Sequence, residues 1–74
     1  MNLELLKDKI EEINIPITTI ANKMGISRQS LNLKLKGSRR FKMSEANSIS
    51  EILRLTNRER TSIFFGAEDD KNVN

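Results

Sequence analysis

The chain of 74 residues has no cysteine and no histidine, so a disulfide framework, a thiolate zinc site, the commonest metal ligand and the commonest general base are all absent. Enzymatic catalysis is not expected, and neither a cofactor nor a metal is implied. No apolar run exceeds a few residues, well short of the roughly 20 that a membrane-spanning helix needs. The N-terminus, Met-Asn-Leu-Glu-Leu-Leu-Lys-Asp, lacks the basic start and apolar stretch of a secretion signal. The expectation is a soluble, cytoplasmic protein of one domain. Its core is small enough that efficient packing or a second subunit has to contribute to stability.

One further absence is local. Between Ile13 and Glu45 there is no acidic side chain, whereas Lys23, Arg28, Lys34, Lys36, Arg39, Arg40 and Lys42 are all cationic. The formal net charge is only +3, yet residues 1–13 carry −2 and residues 22–42 carry +7. That asymmetry concentrates positive potential on one stretch and points to a nucleic-acid partner.

Periodicity predicts an all-α chain. Leu3, Leu6, Ile10 and Ile13 form a helical stripe over residues 2–13. Asn14-Ile15-Pro16 ends that helix, because proline disfavours helical geometry at the residue before it and suits the first turn of the next. A second helix, from 16 or 17 to 24, buries Ile17, Ile20, Ala21 and Met24. Gly25 makes a turn, Ile26 plugs the corner, Ser27 caps a third helix and Gly37 ends it. Residues 38–43 read as a basic loop anchored by Phe41. Ser44 is the expected cap of a fourth helix over 45–54, with Ala46, Ile49 and Leu53 inward. Thr56-Asn57-Arg58-Glu59 has the spacing of a capping box, so a fifth helix starts at Asn57 and stops before Gly66. Residues 1–66 form the domain, and residues 67–74, with nothing to bury, are expected to be a disordered tail.

On a wheel of roughly 100° per residue, Leu31 and Leu35 share a face and Leu33 lies on the opposite one. Arg28, Gln29, Asn32, Leu33 and Lys36 then form an exposed face able to read bases in a major groove. Arginine pairs with guanine, glutamine or asparagine with adenine, and an apolar side chain meets the thymine methyl. Thr18, Thr19, Ser27, Ser30, Lys34, Ser38, Arg39, Arg40 and Lys42 are the phosphate candidates. The adjacent Phe64 and Phe65, with Ile63, are candidates for a dimer patch if they are not absorbed by the core.

Ile20-Ala21, Met24-Gly25-Ile26-Ser27 and Leu31, followed by Gly37, resemble the pattern of the lambda-repressor-like, or Cro and C1-type, helix-turn-helix family. The resemblance covers roughly residues 3–65. It implies a five-helix DNA-binding domain with helices two and three as the helix-turn-helix, and a sequence-specific transcriptional regulator of phage or prophage type. It also implies a double-stranded operator bound as a homodimer, with half-sites about 34–36 Å apart. The chain departs from the family at Ile17, where many members carry glutamine, and at Lys34, where an apolar residue is common. The alternative is a protein-interaction module, an antirepressor or antitoxin-like component, using Phe64, Phe65 or the fifth helix.

Overall fold

A computed structural model describes residues 1–66, and among these every regular element is helical. They are α1 (Leu3–Ile13), α2 (Ile17–Met24), α3 (Arg28–Lys36), α4 (Met43–Ile52) and α5 (Asn57–Thr61), which runs directly into a π-helical turn, Ser62–Gly66. The expected tail, 67–74, lies outside the described residues. No helix among the described residues is long and apolar enough to cross a membrane.

Local chemistry sets each boundary. The Asn2 side chain accepts from the Leu5 amide and starts α1, and Asn14 ends it at φ 66°, a left-handed conformation that asparagine tolerates better than most residues. Gly25 (φ 77°) and Gly37 (φ 88°) terminate α2 and α3 in the same region, where a Cβ would be strained. The Ile26 amide returns to the Ala21 carbonyl at 3.0 Å, and the Ser38 amide to that of Leu33 at 3.0 Å, so both ends close on their own helix. At α5 the capping box is complete. Thr56 Oγ1 accepts from the Glu59 amide at 3.1 Å, and Glu59 Oε1 accepts from the Thr56 amide at 2.9 Å.

The core draws on every element except α5, which buries no residue of its own. Leu6 and Ile10 of α1, Ile20 and Ala21 of α2, Leu31 and Leu35 of α3, Ala46 and Ile49 of α4, Leu53, and Ile63 and Phe64 of the π turn form one buried cluster. α2 packs on both α3 and α4, and α1 on α3 and the π turn. The ends are also tied together. The Asn2 amide donates to the Ile63 carbonyl, and Lys9 Nζ lies 2.8 Å from Glu59 Oε2.

Three expectations are corrected. Ile13 is not in the stripe but 38% exposed, because the chain turns away at Asn14 before its face is covered. α4 begins at Met43, not after a Ser44 cap: Glu45 Oε1 accepts from the Lys42 amide at 2.8 Å and draws the helix start back. The dimer patch is not a surface, since Ile63 is fully buried and Phe64 is 7% exposed. Phe64 meets Phe41 edge-on at 5.6 Å between centroids. Phe65 alone stays half-buried, with the Arg60 guanidinium 5.5 Å above its ring.

Truncating a central core side chain removes apolar contacts that nothing can replace, so Ile49→Ala should lower unfolding free energy by about 2–5 kcal/mol. Ile13→Ala should change it by no more than about 0.5 kcal/mol, as at an ordinary surface site. Urea unfolding followed by circular dichroism compares the two, and equal losses would contradict this description of the core.

Candidate nucleic-acid interface

α3 presents two chemically distinct sides. Leu31 and Leu35 enter the core, and Arg28, Gln29, Asn32 and Lys36 are exposed. Leu33 is half-buried rather than fully outward, so only part of its side chain is left for an external contact. Ser27 Oγ accepts from the Ser30 amide at 3.0 Å, so the serine caps α3 and keeps its hydroxyl proton for another acceptor. Ser30 itself is half-buried.

The exposed side chains of α3 do not share one electrostatic environment. Asn32 and Lys36 line a groove of about 500 Å³ together with Glu4, Asp8 and Glu11 of α1. These carboxylates give that flank an acidic border, softened by Lys7 in the same groove. Arg28 and Gln29, in the first turn of α3, do not line it.

The stretch after α3 is basic and exposed: Ser38, Arg39, Arg40 and Lys42 all point their side chains to solvent, with Phe41 buried between them. Arg28, Lys36, Arg39 and Arg40 have no ion-pair partner among the described residues. On the other side of the turn, Thr18 is exposed and Thr19 half-buried in the first turn of α2. Pro16 at the N-cap supplies no side-chain hydrogen bond, so the first amides of α2 remain available to an anion.

Lys34 is the phosphate candidate that the structure removes. It is only 5% exposed, and its ammonium lies 3.2 Å from Glu45 Oε1 and donates to the Arg40 carbonyl at 3.3 Å. Its donors are engaged inside the fold, because the apolar position it occupies on α3 carries the side chain inward to a carboxylate of α4. Burial raises the proton affinity of the Glu45 carboxyl, but the Lys42 amide and the Lys34 ammonium outweigh it and hold that group below the ordinary carboxylate value. Glu45 was not singled out from sequence, and the one signal for it is its place as the first acid after the long acid-free stretch.

The chain matches no protein-family model, no curated protein and no solved structure. What the arrangement can do therefore rests on its own chemistry. An exposed polar helix end, an open helix N-terminus and a strip of cations without internal partners together suit a polyanion with hydrogen-bonding groups between its charges.

Glu45 gives this region an acid sensitivity with a definite sign. A carboxylate whose folded value is depressed contributes stability that is present above its unfolded value, about 4.3, and lost as pH falls through the folded one. Glu59, lowered first by its hydrogen bond with Lys9 and then by the Thr56 amide, behaves alike. The thermal midpoint should hold from pH 7 to about 5 and fall below about 4.3, less steeply in Glu45→Gln and Glu59→Gln. An acid limb of unchanged slope in both variants would contradict the assignment.

Proposed function

We propose that this protein is a sequence-specific double-stranded DNA-binding transcriptional regulator of the lambda-repressor-like kind, with α3 entering the major groove. The observation that carries the reading is the α2–Gly25–α3 unit, in which a left-handed glycine and the Ser27 cap present an exposed polar helix end beside unpaired cations. A helix of this diameter fits the major groove, and cations on its border suit the phosphates.

Within this reading Arg28 and Gln29 are the leading base-contacting residues, since they stand at the exposed N-terminal end of α3 and outside the acidic groove. Asn32 and Lys36 contribute from the flank that faces α1, and Leu33 offers part of its surface to a thymine methyl. Thr18 and Thr19, with the uncapped amides of α2, hold one phosphate. Ser27 and Ser38 add hydroxyls, and Arg39, Arg40 and Lys42 hold the strand beyond. The role extends to a two-fold operator bound by two copies, although Ile63 and Phe64 are not the surface that joins them. The alternative, a protein-interaction module using Phe64, Phe65 or α5, loses Phe64 to the core for the same reason.

Selection from a random duplex pool should return an enriched motif, palindromic if two copies bind together. A pool with no enrichment overturns the regulator reading and leaves the protein-interaction alternative.

Single variants separate reading from gripping. Gln29→Ala should lose about 1–3 kcal/mol of discrimination at one base pair while affinity for unrelated DNA is kept. Arg40→Ala should weaken all duplexes alike and reduce the slope of log affinity against log salt by about 1. Fluorescence anisotropy over a salt series distinguishes the two, and a base-specific effect of Arg40→Ala would contradict its place on the backbone.

A further inference from the structure

Four groups between α3 and α4 form a closed set of polar contacts. Lys34 Nζ, on α3, lies against both Glu45 Oε1, on α4, and the Arg40 carbonyl oxygen. The same Glu45 oxygen accepts from the Lys42 amide. The backbone is thus held at residues 40 and 42, and between them the Phe41 ring is buried against Phe64. At the α3 end the Ser38 and Arg39 amides both return to the Leu33 carbonyl, at 3.0 and 3.3 Å. In the segment 38–42, hydrogen bonds or burial constrain every residue, while the side chains of Ser38, Arg39, Arg40 and Lys42 stay exposed.

An exposed basic loop needs none of this to be basic. A cation buried on α3 costs desolvation that an apolar side chain avoids, and apolar replacement of a buried pair is often neutral or stabilising. Stability alone is therefore a weak account of Lys34. The pair does what a leucine or methionine cannot: it joins α3 to the main chain of the basic segment and to α4 at one point. Charges held in place ahead of binding also lose less conformational freedom when they meet phosphates.

We propose that Lys34 and Glu45 are positioning residues that lock the segment 38–42 to α3, so that Arg39, Arg40 and Lys42 meet the phosphate backbone in fixed register with the exposed end of α3. The proposal rests on the DNA-binding reading and assigns to Lys34 an internal role in place of a phosphate contact.

The test is the full chain carrying Lys34→Met together with Glu45→Met, which removes both charges without leaving one unpaired. Its thermal midpoint should be no lower than that of Glu45→Gln, which leaves the buried Lys34 ammonium unpaired, while affinity for every duplex falls about tenfold and the salt slope flattens by about 1–2, as one or two phosphate contacts are lost. Lys34→Arg, which keeps a cationic donor between Glu45 and the Arg40 carbonyl, should retain the slope. Wild-type affinity and slope in a folded double variant overturn the proposal. Amide exchange of the unaltered protein supplies an independent measurement that needs neither DNA nor a folded variant: the Lys42 amide should be protected at neutral pH, and exchange at the unprotected rate also overturns the lock. If the unaltered protein binds no duplex, the DNA-binding reading fails and this role fails with it, whereas Lys42 protection still reports whether the lock exists.

Discussion

The left-handed ends of α2 and α3 are the constraint on which the rest of the structure depends. Gly25 and Gly37 stop the two helices at fixed points, and each stop sets the course of the chain beyond it. After Gly25 the chain leaves α2 in a turn short enough for Ile26 to pack at the core and Ser27 to cap α3. After Gly37 it folds back on the Leu33 carbonyl, bringing Phe41 to Phe64 and Lys42 to the start of α4. The two glycines differ in the space around them. A Cβ at Gly25 meets nothing within 4 Å, whereas at Gly37 it stands 3.4 Å from the Leu3 side chain. At Gly25 the requirement is one of backbone conformation alone, and at Gly37 α1 also packs close to the turn.

A small core makes polar ties between distant parts of the chain matter more, since there is little apolar area to hold them otherwise. α1 is held to the C-terminal elements by the Asn2 amide on the Ile63 carbonyl and by Lys9 on Glu59. Glu59 serves twice, because its other oxygen completes the α5 cap. Glu45 repeats that economy between α3 and α4, where a single oxygen meets Lys34 and the Lys42 amide. In both places one carboxylate starts a helix and receives a lysine from another element. The helix start and the tertiary contact are thereby coupled, so fraying at one loosens the other.

Legibility in the sequence tracks the range of the interactions involved. The stops at Gly25 and Gly37, the Ser27 cap and the Thr56–Glu59 box depend on residues at most five positions apart, and each is found where spacing places it. The start of α4 depends on a choice between two local caps, Ser44 or Glu45 acting back on Lys42, and the carboxylate prevails. Lys34 is the harder case. Spacing leaves it among the phosphate candidates, and only the fold, which buries it and brings Glu45 from 11 positions away, gives it an internal partner. Phe64 and Phe65 are ambiguous in sequence because neighbours about 100° apart on a helix diverge, and only the fold shows that Phe64 enters the core beside Ile63 while Phe65 stays half-buried. At the candidate site the identity and exposure of Arg28, Gln29, Arg39 and Arg40 are readable, and the acidic flank beside Asn32 and Lys36 is not, since it comes from α1.

That flank gives the proposed interface a direction. Glu4, Asp8 and Glu11 repeat at helical spacing along α1 and border one side of α3, while Arg39, Arg40 and Lys42 lie beyond its C-terminal end. A phosphate strand approaching α3 is repelled from the first border and attracted to the second, and both forces weaken beyond about 10 Å at ordinary salt. The separation of charge seen along the chain, negative in residues 1–13 and positive in 22–42, becomes through folding a gradient across a single helix. In the DNA-binding reading that gradient draws the phosphates toward the C-terminal border of α3, while Arg28 and Gln29, outside the acidic groove, meet the bases without repulsion from α1. Lys36, on the flank that faces α1, offsets those carboxylates in part and contributes to the contact from that side.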